Sequence, residues 1–173
     1  MSLYLSMLEE EVKKIYMKLN IARPEQIDME RIAAAFRIYL HFEEAESGMF
    51  HVNGSYSIVL NNKLTPEQQW EDFAHELCHV LKHCGNQFVM NKMFRQLQEF
   101  QANSFMYHFC VPTFMLSKMK LPQLKRDAVQ LISDMFNVTP PFAEKRLEMY
   151  LRKLYSLKSQ SFFVQKILQQ QAL

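Results

Sequence analysis

The sequence predicts an α+β fold: a small, three-stranded, mainly antiparallel sheet, a long central helix, and a helical bundle toward the C-terminus. Three observations carry this expectation. Apolar residues recur at three- and four-residue steps through most of the chain, as they do on helices. One stretch, 37–60, alternates instead and contains Asn53-Gly54, a dipeptide suited to the positive φ values of a tight type I′ hairpin. Only three glycines occur in 173 residues, too few for a β-sandwich or a glycine-rich phosphate cradle.

Taken in order, Leu3 to Leu19 reads as an amphipathic helix. Leu5, Leu8, Val12, Ile15 and Leu19 form its stripe, with Glu9, Glu10, Lys13 and Lys14 off it. Arg23-Pro24 breaks the pattern, and Asp28 caps a second helix through Phe36. Ile38, Leu40 and Phe42 then alternate with Tyr39 and His41, and Met49–Val52 and Tyr56–Leu60 flank the hairpin turn. Thr65-Pro66-Glu67-Gln68 starts the central helix: Thr65 caps, Pro66 suits the first turn, and Gln68 completes a capping box. It runs to about His83 and ends near Gly85-Asn86. Further helices are expected over Lys92–Cys110, from Pro122 to about Met135, and from Thr139 to about Tyr155, with a helical tail from Ser161.

Composition narrows the class. Hydrophobic residues make up 49%, enough for a core, and charged residues 22%, an ordinary aqueous surface. A formal charge of +2 does not call for nucleic acid by itself. Cys78, Cys84 and Cys110 form no even disulfide framework. Glu9 to Lys14 interrupts any secretory apolar run, and no stretch is apolar enough for a membrane span. A cytoplasmic protein with reduced thiols is the expectation. Nothing in the sequence sets an oligomeric state.

The chemistry is concentrated in His75-Glu76-Leu77-Cys78-His79, an H-E-x-x-H motif. At 100° per residue the two histidines lie ~40° apart on one helix face, so both imidazoles can reach one ion. Glu76 lies beside that face, placed to reach an attacking water instead of the metal. Phe73, Ala74, Leu77, Val80 and Leu81 mark the helix as buried, where histidines and a carboxylate are costly without a partner. A catalytic zinc usually has a third protein ligand and an open position. His83 lies too far along the same helix to close the set. Glu99, twenty residues past His79, can return on the next helix, where Ala102 allows close approach. Asn103, one turn on, is placed to orient a ligand histidine from a second layer. His108, about 180° from Glu99, is not expected as a ligand. Tyr56, His83 and Tyr107 are candidate oxyanion stabilisers, and the sequence does not choose among them.

Phe73-Ala74-His75-Glu76-Leu77-Cys78-His79, then Glu99-Phe100-Gln101-Ala102-Asn103-Ser104-Phe105 and Val111-Pro112, resemble the ImmA/IrrE family of metallopeptidases across roughly residues 25–150. The resemblance implies a zincin-like fold, with Zn2+ held by His75, His79 and Glu99 and Glu76 as catalytic base. It further implies cleavage of a helix-turn-helix repressor of a phage or mobile element. Cys78 stands where the family usually has glycine and Met106 where it usually has alanine, differences that bear on groove shape. The implied division is a peptidase core with N-terminal helices over 1–112 and a helical region over 113–173.

Two other readings compete. The fold could grip a repressor without cutting it. Alternatively, residues 124–149 could form a helix-turn-helix that reads DNA, with Lys145, Arg146, Arg152 and Lys153 supplying charge and Glu144 and Glu148 diluting it. From Tyr150 onward Arg152, Lys153, Lys158 and Lys166 meet no acidic residue, which suits either a solvated helix or a partner-binding tail. Cys78 and Cys110 read as buried small hydrophobes, and Cys84 as an exposed, oxidisable thiol.

Overall fold

The structure is a computed structural model that describes residues 4–82 and 91–171, with only the backbone described over 161–171. The first helix, α1, spans Met7–Lys18. It starts later than the apolar periodicity suggests because Ser6 forms a capping box. The Ser6 hydroxyl accepts from Glu9 N–H, and Ser6 N–H donates to the Glu9 carboxylate at 2.6 Å. Asp28 caps α2 (Met29–Ala35) by accepting from Arg31 N–H, and Arg37, at φ 57°, turns the chain into the sheet.

Strands β1 (Ile38–Glu43), β2 (Gly48–Val52) and β3 (Ser55–Asn61) form a sheet in the order β1-β3-β2. Asn53 (φ 52°) and Gly54 (φ 78°) make the expected turn between β2 and β3. The sheet is mixed, not mainly antiparallel. β2 and β3 pair antiparallel, but β1 and β3 pair parallel, with Ile38 opposite Tyr56 and Leu40 opposite Ile58. Burial explains this. Ile58 and Leu60 make β3 the most apolar strand, so it takes the centre and separates β2 from β1. Of the two edge strands, β2 carries exposed Phe50 and Val52.

Helix α3 is described over Pro66–Lys82 and starts as expected: Thr65 N–H donates to the Gln68 side chain, and Gln68 N–H to the Thr65 hydroxyl. Trp70, Phe73, Ala74, Leu77 and Cys78 recur at helical spacing and are buried against the sheet and α4 (Lys92–Cys110). Its expected end near Gly85-Asn86 lies outside the described residues. Helices α3 and α4 run antiparallel: His75 meets Glu99, while the Cys110 thiol meets the Trp70 carbonyl near the other end. Tyr16, Trp70 and Phe105 all pack on Phe109 at the centre of this layer, Tyr16 and Phe105 stacked and Trp70 tilted.

A short α5 (Thr113–Leu116), which the periodicity does not reveal, follows Pro112. Next, α6 (Lys125–Phe136) ends in left-handed Asn137. Helix α7 runs unbroken over Pro140–Gln171, joining what the sequence suggests as a helix and a separate tail. Apolar residues of α6 and α7, among them Ile132, Phe136 and Leu147, belong to the same buried cluster as Ile58 and Phe73. Among the described residues no helix is long and apolar enough to cross a membrane.

Candidate metal centre

His75 and His79 project from one face of α3, one turn apart. Their Nε2 atoms are 3.1 Å from each other. The Glu99 carboxylate closes the third side from α4, with Oε2 3.2 Å from His75 Nε2 and Oε1 3.6 Å from His79 Nε2. Four ligands placed tetrahedrally at zinc–ligand distances of 2.0–2.1 Å lie ~3.3 Å apart. The three measured separations bracket that spacing, so the donor set fits a divalent ion in both chemistry and size. Among the described residues, this is the group of histidines, cysteines and carboxylates whose ligand atoms all fall within 4.8 Å of one another. Fully buried Ala102, one turn from Glu99, lets α4 approach α3 closely enough for the carboxylate to arrive. The site is graded in exposure: the His79 side chain is 3% exposed and that of Glu99 43%. The trio thus has a buried floor and an open mouth.

Glu76 sits beside the trio. Burial, then the nearby Glu99 charge, raise its carboxyl to about 7, with Asp72 adding to the rise and a hydrogen bond from Met49 N–H opposing it. The Met49 backbone N–H, on edge strand β2, thus lies near the carboxylate. A carboxyl poised near neutrality can both take and return a proton at working pH. Nothing in the sequence pattern signals the Met49 contact, because it depends on β2 occupying the edge.

The Asn103 amide donates to the Glu99 backbone carbonyl at 2.8 Å, folding back along its own helix toward the residue that carries the third ligand. Tyr56 stacks on His51 across the hairpin, and Tyr107 packs on Phe142 of α7. These ring contacts do not by themselves assign either hydroxyl a role at the trio. His83 and Cys84 lie outside the described residues. Burial pushes the Cys78 thiol up to about 12 and the Cys110 thiol well above its ordinary value, so both remain neutral small side chains. Of the basic residues that a DNA-reading helix would need, Arg146 is buried and Lys153 pairs with Glu9, which leaves Lys145 and Arg152 exposed.

A buried acid that the sequence reading places on a solvated face anchors the N-terminal helix. Glu9 accepts from Thr113 Oγ1 at 2.7 Å and from Lys153 Nζ. A second anchor lies nearer the metal face. Thr139 N–H, at the α6–α7 corner, donates to Glu71 Oε1 at 2.6 Å, one turn before His75.

Residues 33–148 match the family model described as IrrE N-terminal-like domain, Peptidase_M78. The chain belongs to the Peptidase_M78 family. It is 57% identical over 157 residues to the phage-like element PBSX protein XkdA of Bacillus subtilis strain 168, covering 91% of this chain and 79% of that one. It is 41% identical over 149 residues to YqaB of the same strain, covering 86% of this chain and 87% of that one. A solved structure titled Mycobacterium tuberculosis transcriptional regulator shares the fold at TM-score 0.58 and 17% identity. That match covers 81% of this chain but only 46% of the longer regulator. Peptidase_M78 membership puts the chain in a metallopeptidase-like family with a representative in a phage-like element.

Proposed function

We propose that this chain is a cytoplasmic, zinc-dependent, site-specific endopeptidase that cuts a helix-turn-helix repressor of a phage or mobile element and so relieves repression. The hydrolase reading rests on one observation: two imidazole nitrogens and a carboxylate converge at 3.1, 3.2 and 3.6 Å, with a second carboxylate beside them. His75, His79 and Glu99 hold the ion, which when bound supplies Lewis acidity to a scissile carbonyl and makes water more acidic. Glu76 takes the proton from the attacking water and returns it to the leaving amine. The unpaired edge of β2, which reaches Glu76 through Met49, offers main-chain partners to an extended peptide. Family membership and a relative in a phage-like element support a repressor as substrate.

The test is co-incubation of the zinc-loaded protein with the repressor encoded beside its gene, followed by mass spectrometry. Discrete fragments that vanish with a chelator and with Glu76→Gln are expected. A repressor that is captured intact makes the chain a binding antagonist instead. A salt-dependent shift of duplex DNA without proteolysis makes it a DNA-binding regulator.

A further inference from the structure

His108 lies nine residues beyond Glu99 on α4, about 180° around the helix, and therefore on the side away from the metal-binding trio. There, between α1, α4 and α7, is a cavity of about 460 Å³ with Glu9, His108, Arg146 and Lys153 in its lining. Its size falls within the range of small-molecule sites. We propose that it binds a small monocarboxylate with an apolar body.

The case begins with the charges. Arg146 is 1% exposed. Its Nε donates to the Val111 carbonyl at 3.1 Å and its Nη2 to Thr113 Oγ1 at 2.6 Å. Thr113 in turn donates to Glu9, so a hydroxyl stands between guanidinium and carboxylate. Among the described residues no carboxylate pairs directly with Arg146. Glu9 is already committed, accepting from Ser6 N–H, Thr113 and Lys153. One carboxylate therefore faces two cations, and with His108 neutral the cavity carries a surplus of one positive charge. Burial lowers the Arg146 guanidinium to about 10, as expected for a desolvated cation short of a counter-charge.

His108 supplies the second half of the case. Its Nδ1 is buried and has no hydrogen-bond partner. The nearest carboxylate oxygen, Glu9 Oε1, is 3.9 Å away, beyond hydrogen-bond reach. Burial first, and then the Arg146 charge, hold the ring below its ordinary range, so it stays neutral. A buried orphan nitrogen and an uncompensated cation both cost stability. A ligand carboxylate relieves both once the His108 ring turns its Nδ1–H toward the cavity, accepting from it and from Lys153 while it cancels the surplus charge. A dianion overshoots that charge. Tyr4, Met149 and Leu157 provide apolar wall for the ligand body, and Ser156 and Gln160 lie at the α7 side of the cavity.

The test is NMR titration of the zinc-loaded full chain with benzoate and hexanoate, and with benzamide and inorganic phosphate as controls. Saturable one-to-one binding of an acid is expected, with a Kd of about 0.1–1 mM for a ligand of this size. Benzamide and phosphate should bind at least about tenfold more weakly. Ser156→Trp, which fills the cavity and leaves its charges alone, should abolish binding. Lys153→Met should weaken it about tenfold, with circular dichroism confirming that both variants fold. Three results overturn the proposal: no saturation by either acid, phosphate binding more tightly than benzoate, or binding that survives Ser156→Trp and so reports the metal site.

Discussion

His75 and His79 bring their Nε2 atoms within 3.1 Å of each other. Glu99 lies within 3.6 Å of both, so two imidazole nitrogens and a carboxylate meet at the spacing of a divalent-ion ligand set.

The first prediction concerns that third ligand. Glu99→Ala leaves two ligands and should weaken zinc binding at least about tenfold, a typical minimum for loss of a supporting group and a low bound for a direct ligand. Competition with a chromogenic chelator measures it. Unchanged affinity removes Glu99 from the site.

Glu76→Gln separates binding from chemistry. The amide preserves shape and cannot accept the proton, so zinc stoichiometry should stay at wild-type level while turnover falls about 10²–10⁴-fold. Elemental analysis beside a cleavage assay reads both. Wild-type turnover would mean that a different group serves as base.

Thr113 links two buried charges, so Thr113→Val should be disproportionately destabilising. It strands Arg146 Nη2 and one oxygen of Glu9, at a cost of about 2–4 kcal/mol. Thr113→Ser keeps the hydroxyl and should recover most of the loss. Urea midpoints for the three proteins decide it, and equal midpoints for Val and Ser remove the hydroxyl relay.

The same cluster predicts acid sensitivity. Burial alone would raise Glu9, but the Lys153 ammonium, Ser6 and Thr113 outweigh it and leave the carboxyl well below its ordinary value of 4.5. Stability from Glu9 is therefore fully present above 4.5 and is lost as pH falls below it. His108 is buried neutral, with its folded pKa near 4 against an ordinary 6.5. The unfolded chain takes that proton first, so stability also declines as pH falls from 6.5 toward 4. His108→Gln should flatten the upper part of the thermal-midpoint profile and leave the lower part in place. Identical slopes between pH 6.5 and 4.5 in both proteins would contradict this assignment.

Local sequence specifies whatever depends on neighbours within a few turns. The spacing of His75 and His79 puts them on one helix face wherever that helix packs. Asn53-Gly54 specifies its turn, and Thr65 with Gln68 its cap, because the hydrogen bonds close over a few residues. Glu99 was reachable because a buried histidine pair needs a third ligand, and the next helix offered a carboxylate at a workable distance. Tertiary structure alone decided the rest. β3 took the centre of the sheet because burial of Ile58 and Leu60 outweighed chain order, and that choice brought Met49 to Glu76. Glu9 reads as a surface acid by periodicity, yet it is 4% exposed, and its partners Thr113 and Lys153 lie 104 and 144 positions away. No local pattern can show that pairing. The desolvation of a charge, and the groups that compensate it, depend on which distant segments meet around it.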